Sequence, residues 1–379
     1  MHPVVKGDAY GHGAVPVARA LDEAGADGFC VATMDEAIAL REAGIQRPIL
    51  VAYPIPTTLA AEARRRAIAI TVGDRELLDE LLVEVGADTA SPPLVVQIEI
   101  ETGLGRGGFR ADDALEAARR IHDAGAVRLA GAWTHLQAPE NESRSRGQVD
   151  EFERVTKELE ARVGPLGSRH VSASGSLVLG EAASLDGVRP GLATYGLLPD
   201  ELLGAALSSE AAALRPVLSL RARPVHVAEL PASWGISYGP TFTTSRPSRI
   251  ATLPIGYGDG WSRALSNRAQ VLVRGRRVPL VGNVAMDAVM ADVTDVPGEP
   301  VTVHDEFVLI GEQGAERIRT SDIASARGTN SWEVVTSLAA RLPRVYHAAS
   351  VPRETRTLIA NAVPDPGDDG AGGRRSMRP

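Results

Sequence analysis

The sequence predicts an α/β fold, a (β/α)8 TIM barrel followed by a mainly β C-terminal domain. Its 379 residues exceed the usual size of one domain, which favours two. Short β-branched runs alternate with helical segments up to about residue 198, as in βα units around a parallel sheet. From about residue 213 the chain has short strand-like runs separated by Gly, Pro and Asp. We therefore expect a barrel over residues 1–212, a β domain over 213–364 and a disordered, Gly-rich tail over 365–379.

Eight apolar runs are predicted as the barrel strands. In chain order they cover residues 3–6, 28–32, 48–52, 67–72, 94–100, 129–135, 170–172 and 188–189. Between them, residues 15–21 and 34–44 have the spacing of amphipathic helices, the second with Thr33 as its N-cap and Gly44 at its end. An open doubly wound sheet agrees with the same strand count and stands as the alternative.

The second domain is predicted as five strands and one late helix. The strands cover residues 218–227, 249–255, 270–273, 289–293 and 306–310. Residues 332–342 return to helical spacing, and Pro343 ends that helix.

The composition favours an enzyme that acts on a small molecule. A formal net charge of -8 and an isoelectric point near 5.6 argue against a nucleic-acid or anionic-membrane surface. The single cysteine, Cys30, lies in an apolar run, so the chain has no internal disulfide framework. Since we find neither a membrane-spanning run nor a signal-peptide pattern, we expect a cytoplasmic protein, and we predict no metal site.

Lys6 is the first candidate for a reactive group. It is one of two lysines in a chain whose other basic residues are arginine, which stays protonated and cannot form a Schiff base. The other, Lys157, lies in a charged helix where Glu153 can pair with it. Lys6 ends an apolar run, and barrel enzymes place reactive groups at strand ends. We interpret it as an imine-forming lysine; the alternative is an ordinary surface lysine.

Other polar residues follow the predicted strands and would share one rim of a barrel. They are Arg106, His135, Ser174 and Arg189. The Gly- and Ser-containing turns after strands seven and eight, at Gly175 and Gly191, can offer backbone N–H groups to a phosphate.

Nine segments resemble the alanine racemase family, in the same order. They are VVKGDAYGHG, ETGLGRGGF, AWTHL, HVSASG, VRPGLATYG, GISYGPTF, LPIGYGDGW, VGNVAMDAVMADV and RLPRVY, and they extend from Lys6 to Tyr346. The GISYG and VAMD segments of the second domain distinguish this family from barrel-only proteins that bind pyridoxal 5'-phosphate.

The resemblance implies pyridoxal 5'-phosphate as cofactor, attached to Lys6. It implies a phosphate site at Tyr10, Ser174 and Gly191, with Leu192 and Trp332 beside it. Arg106 would contact the phenolic oxygen of the cofactor, and Arg189 its pyridine nitrogen, with His135 close by.

The resemblance also implies a two-base racemisation of alanine in a homodimer, supplying D-alanine for cell-wall peptidoglycan. Lys6 would serve one face of the substrate and Tyr238, from the partner subunit, the other. His135 would be hydrogen-bonded between Tyr238 and Arg189. Met286 and Asp287 of the partner chain, with Arg106, would approach the substrate carboxylate.

The sequence departs from the family pattern in three places. Glu99 stands where many members carry a lysine that becomes carbamylated, and we hypothesise that its carboxylate orients Arg106 directly. Trp332 stands where a tyrosine is usual, which predicts altered turnover or selectivity. Met1 lies five residues ahead of Lys6, where the family usually has one more strand and helix, so we expect a misassigned start or a truncated chain.

Several alternatives stay open. The chain could racemise another small amino acid such as serine, or be a catalytically impaired homologue. A fold-related decarboxylase of basic amino acids would need an acidic partner for the ring nitrogen and a cysteine in the second domain, where the sequence has none after Cys30. A non-catalytic carrier of the cofactor would need neither the β domain nor Tyr238.

Overall fold

A parallel barrel forms the first part of the molecule. The computed structural model describes residues 1–86, 91–180 and 185–358, with the backbone of residues 361–362, so the predicted tail lies outside the described residues. Seven strands pair in chain order, β1 (Phe29–Val31), β2 (Ile49–Val51), β3 (Ala69–Val72), β4 (Leu94–Glu99), β5 (Val127–Trp133), β6 (Arg169–Ala173) and β7 (Gly187–Arg189). The predicted barrel is confirmed, and these strands lie within about two residues of the predicted ones.

Residues 2–5 complete the ring between β7 and β1. The N–H groups of His2 and Val4 donate to the carbonyls of Val188 and Pro190, both at 2.8 Å, and Val4 forms a parallel bridge with Cys30. The predicted strand 3–6 is therefore wrong in extent, because it is reduced to that bridge. The chain leaves the strand direction at Lys6, where the left-handed turn α1 (Lys6–Tyr10) begins.

Helices cover the outside of the barrel. They are α2 (Ala14–Glu23), α3 (Met34–Glu42), α4 (Ala60–Arg65), α5 (Arg75–Val85), α6 (Ala111–Ala124) and α7 (Glu142–Val163). Two more helices, α8 (Ser174–Leu179) and α9 (Ser209–Ala212), pack together in a separate apolar cluster, and α8 begins at the cavity end of β6. Thr33 caps α3 as predicted, since its side chain accepts the N–H of Glu36. Phe29, Ile98 and Phe152 are completely enclosed between strands and helices.

An antiparallel β domain follows. Its strands are β8 (Leu220–Ala222), β9 (His226–Leu230), β10 (Ser248–Leu253), β11 (Gln270–Val273), β12 (Arg276–Val281), β13 (Val289–Asp292), β14 (Phe307–Gln313) and β15 (Glu316–Ile318). They pair in the order β15-β14-β11-β12-β13-β10-β9, with β8 on β14. The single predicted strand 218–227 is wrong, because this segment forms two strands, β8 and β9. β8 pairs with β14 and β9 with β10, in different parts of the sheet, and Pro224 lies in the break between them.

Two short helices and a third, three-stranded sheet end the described chain. They are α10 (Thr320–Arg327) and α11 (Ser331–Thr336), then β16 (Arg344–Ala348), β17 (Val351–Arg356) and β18 (Asn361–Ala362). The predicted helix 332–342 is wrong in extent, because α11 ends at Thr336 and the chain turns so that the N–H of Ala339 reaches the carbonyl of Asp259. Sequence analysis did not predict β12, β15, α10 or this last sheet. Among the described residues, every helix is too short or too polar to cross a lipid bilayer.

Candidate active site

One cavity of about 570 Å³ lies at the carboxyl ends of the barrel strands. It is lined by every residue predicted to hold the cofactor, namely Lys6, Tyr10, Arg106, His135, Ser174, Arg189, Gly191, Leu192 and Trp332. The volume is that of a small-molecule site. The strand ends thus bring together residues spread over most of the sequence.

Lys6 and Tyr10 are placed by the left-handed turn between them. The φ angles of Asp8, Ala9 and Tyr10 are 54°, 54° and 52°, and glycines with positive φ stand at both ends of the run. Because Cβ crowds the carbonyl in this conformation, each of these three residues costs about 1 kcal/mol or more. Contacts elsewhere must stabilise the turn.

A cradle for an anion lines the same cavity as Lys6. The Ser174 hydroxyl oxygen accepts the N–H of Gly191 at 2.8 Å and that of Ala193 at 3.1 Å. A Cβ at Gly191 would lie 2.7 Å from the hydroxyl of Tyr10, so any larger residue would fill the cradle. Burial raises the pKa of Tyr10 to about 12, which keeps this phenol protonated and able to donate. Because both amides already donate to Ser174, the hydroxyls of Ser174 and Tyr10 are the donors that face the cavity, and they suit a phosphate group.

Arg189 is a buried cation at the centre of the cavity wall. Its Nη1 donates to Nδ1 and to the carbonyl of His170, the latter at 2.9 Å, and its Nη2 donates to the carbonyl of Thr134 at 2.6 Å. Its guanidinium also lies over the ring of Trp133, 4.9 Å from the centroid. Burial lowers its pKa to about 10, so it stays protonated at neutral pH.

His170 supports Arg189 and was missed as a functional residue by sequence analysis. Because a guanidinium only donates, Nδ1 of His170 must accept, and Nε2–H then donates to the side-chain oxygen of Gln97 at 2.7 Å. Burial, then the charge of Arg189, lowers the pKa of His170 well below its ordinary value, consistent with this neutral tautomer. Polar residues inside the apolar strands β4 and β6 are the signal that could have identified the pair.

His135 lines the cavity two residues beyond β5. Burial, followed by the positive charges of Arg189, Arg106 and Lys6, lowers its pKa to about 3. The imidazole is therefore neutral, and the positive potential here comes from Arg189 first, then from Arg106 and Lys6. The predicted hydrogen bond between His135 and Arg189 stays a prediction.

Arg106 approaches the cavity from the loop after β4. Its guanidinium lies 3.5 Å from the Glu99 carboxylate, which is buried at the end of β4, as the hypothesis about Glu99 requires. Burial raises the pKa of Glu99, and Arg106 opposes this rise.

Tyr53 was also missed by sequence analysis. Its ring lies 5.6 Å from Nζ of Lys6 and 5.4 Å from Cζ of Arg106, so one aromatic ring contacts two cations. Its position directly after the apolar run 48–52, at the same rim, is the signal that could have identified it.

Tyr238, Met286 and Asp287 do not line this cavity. They lie on loops of the β domain, where Tyr238 is 77% exposed and Met286 53% exposed. Asn283 joins these loops by donating to the carbonyl of Tyr238 at 2.8 Å. Asp287 forms an ion pair with Arg341 at 2.7 Å. A single chain therefore does not bring these residues to Lys6.

Comparison with known proteins agrees with this geometry. The model of the alanine racemase N-terminal domain matches residues 1–199, and that of the alanine racemase C-terminal domain matches residues 217–346. The chain is 40% identical to alanine racemase 2 of Caldanaerobacter subterraneus over 90% of its length and 87% of the relative's. It is 39% identical to the alanine racemase of Halothermothrix orenii, covering 90% and 89% of the two chains.

Solved structures show the same likeness. Alanine racemase from Bacillus anthracis with bound L-Ala-P has a TM-score of 0.86 at 34% identity, covering 94% of this chain and 90% of that one. A histidine racemase from Leuconostoc mesenteroides has a TM-score of 0.80 at 28% identity, covering 90% and 89%. Since both domains and their order match throughout, the chain belongs to the alanine racemase family of isomerases.

Proposed function

We propose that the protein is a pyridoxal 5'-phosphate-dependent alanine racemase that interconverts L- and D-alanine. The observation that supports this best is the convergence of Lys6, the Arg189 cation and the anion cradle on one cavity. The cradle suits the cofactor phosphate, and Lys6 is the only lysine among the described residues that line the cavity. The D-alanine would serve cell-wall peptidoglycan.

Tyr10, Ser174 and Gly191 would bind the phosphate, with Leu192 and Trp332 enclosing it. When bound through Lys6, the cofactor supplies an electron sink that makes the α-hydrogen of an amino acid acidic. Ser331 donates its hydroxyl to Asp200 of the barrel at 2.7 Å and so holds Trp332 at the cavity.

Arg189 would face the pyridine nitrogen. Its described hydrogen bonds use both Nη atoms, which leaves Nε–H as the donor for that nitrogen. Because Arg189 stays protonated and only donates, it keeps the nitrogen unprotonated and weakens the electron sink. Arg189 would thereby favour removal and return of the α-proton, which racemisation needs, over transamination.

Two residues would move the proton. Nζ of Lys6 would serve one face of the α-carbon, and the hydroxyl of the partner subunit's Tyr238 the other. A homodimer with shared active sites would supply Tyr238, Met286 and Asp287, which a single chain holds away from its own cavity. Neutral His135 would share a hydrogen bond with the partner subunit's Tyr238 beside Arg189, whose charge favours the tyrosinate. The predicted bond between His135 and Arg189 would take the place of one of the Nη bonds to a backbone carbonyl. Arg106 would bind the substrate carboxylate.

The experiment is racemisation in deuterated water. Protein with pyridoxal 5'-phosphate and L-alanine is expected to form D-alanine with deuterium at the α-carbon. Lys6→Ala and Tyr238→Phe are expected to abolish it, and Lys157→Ala, which changes the other lysine, to leave it intact. Faster exchange with serine than with alanine would reassign the substrate. Cofactor binding without any α-hydrogen exchange would favour the carrier or the impaired homologue.

A further inference from the structure

We infer that the strap, defined as strands β16 and β17, positions Lys6 by holding the left-handed turn that follows it. Arg356 and Tyr346 of the strap are positioning residues in this inference, since they touch the turn and not the cavity. The inference rests on the proposed function for the role of Lys6, but the contacts themselves are independent of it.

The central contact joins Asp8 and Arg356. Nη1 of Arg356 donates to Oδ1 of Asp8 at 2.8 Å, and its Nη2 donates to Oδ2, so the pair is bidentate. Oδ1 of Asp8 also accepts the N–H of Ala14 at 2.8 Å, at the start of α2. The carboxylate thus ties both the strap and α2 to a residue two positions after Lys6.

Two further hydrogen bonds hold the rest of the turn. The hydroxyl of Tyr346 donates to the carbonyl of His12 at 3.0 Å, and Nε of Arg344 donates to the carbonyl of Gly11 at 2.8 Å. A Cβ at Gly13 would lie 2.0 Å from the Tyr346 hydroxyl, so this approach requires glycine. The strap therefore contacts the turn at Asp8, Gly11, His12 and Gly13.

The backbone conformation of the turn explains why it needs these contacts. Asp8, Ala9 and Tyr10 have positive φ angles, which side chains of L-residues disfavour, so the turn depends on outside contacts to keep its shape. Lys6 and Tyr10 stand at its two ends, and their spacing sets the distance between the reactive lysine and the phosphate cradle. Arg356 lies beyond the residues matched by the C-terminal domain model of the family.

The experiment compares two Arg→Gln variants that each remove a bidentate ion pair. Arg356→Gln removes the ion pair between the strap and Asp8. Arg274→Gln removes the pair with Asp305, at 2.6 and 2.9 Å, within the β domain. Hydrogen exchange at the amides of residues 7–13 is measured without cofactor, and the dissociation constant of pyridoxal 5'-phosphate by its absorbance. Tyr346→Phe serves as a milder second variant.

We expect Arg356→Gln to raise both the exchange rate and the dissociation constant about tenfold, the effect of one charge-assisted hydrogen bond. Tyr346→Phe should change both in the same direction by less, and Arg274→Gln should change neither. Equal loss of thermal stability in both Arg→Gln variants, with unchanged exchange at residues 7–13, would overturn the inference. Failure of the unaltered protein to bind the cofactor would instead reject the proposed function, and the exchange rates would still decide the role of the strap.

Discussion

Arg189 donates a hydrogen bond to Nδ1 of His170, so a buried cation rests on a buried neutral imidazole. The pair is fixed by Gln97, which accepts from the other ring nitrogen of His170. This chain of hydrogen bonds runs from β4 through β6 to β7 and sets the orientation of Arg189 at the cavity.

Removal of the acceptor on His170 is expected to destabilise the protein. In His170→Leu, one N–H of Arg189 loses its partner in the barrel interior, which should lower the free energy of unfolding by about 1–3 kcal/mol. We also expect kcat/KM for alanine to fall at least tenfold in His170→Leu. His170→Asn keeps an acceptor oxygen, so it should recover part of the free energy of unfolding and part of kcat/KM. Denaturant unfolding and racemisation assays measure the two effects. Equal stability of the Leu variant and the unaltered protein would contradict this role.

The neutral state of His135 predicts a pH dependence of stability. Its pKa is about 3 in the folded protein and 6.5 as its ordinary value, so the unfolded chain binds an extra proton between these values. Stability should therefore fall as pH decreases from 6.5, by at most about 1.4 kcal/mol per pH unit from this group. The free energy of unfolding of His135→Asn, measured from pH 7 to pH 4, should fall less steeply than that of the unaltered protein. Parallel curves would show that His135 does not contribute.

Glu99→Gln is expected to lower activity without lowering stability. A buried neutral amide costs less than a buried carboxylate, so the free energy of unfolding should stay level or rise. The bond to Arg106 would lose its charge assistance, and kcat/KM for alanine should fall about tenfold. Unchanged turnover and cofactor affinity would reject the hypothesis that Glu99 orients Arg106.

Tyr53 is expected to act through its ring and not its hydroxyl. Tyr53→Phe keeps the contact with both cations and should leave cofactor affinity and KM within about twofold of the unaltered values. Tyr53→Ala removes this contact and should lower cofactor affinity and raise KM, each by about threefold to tenfold. Titration with pyridoxal 5'-phosphate and steady-state kinetics give the comparison. Equal behaviour of the two variants would exclude a role for the ring.

Trp332→Tyr tests the second departure from the family pattern. The indole donates one hydrogen bond but cannot accept, and it fills more of the cavity than a phenol. We expect phosphate binding to survive and the ratio of kcat/KM for alanine to that for serine to change. Identical kinetics for all amino acids tested would show that the replacement is neutral.

The barrel was predictable because its strands are apolar runs bounded by turn residues, as β4 illustrates. The left-handed turn was not, because Ala9 and Tyr10 carry no local preference for positive φ, and Asp8 alone does not predict three such residues in a row. The break at Pro224 could have been predicted, since proline disrupts a strand interior.

Residues at strand ends and the resemblance to the family together predicted the candidate site, but neither predicted the residues that support it. Lys6 is one of two lysines and Arg189 ends a predicted strand, whereas His170 and Tyr53 become notable only through contacts with residues far away in the chain. The strap was not predictable either, because residues 344–356 are polar and largely exposed and have no clear strand periodicity.

The pair of Asp8 and Arg356 also bears on how the protein is made. These residues are 348 positions apart, and the ring of strands closes only when residues 2–5 meet β7. A ribosome therefore releases Lys6 long before its surroundings exist, and contacts of such long range form late in folding. If the strap holds the turn as inferred, the nascent chain would acquire the mature geometry around Lys6 only after synthesis has reached Arg356.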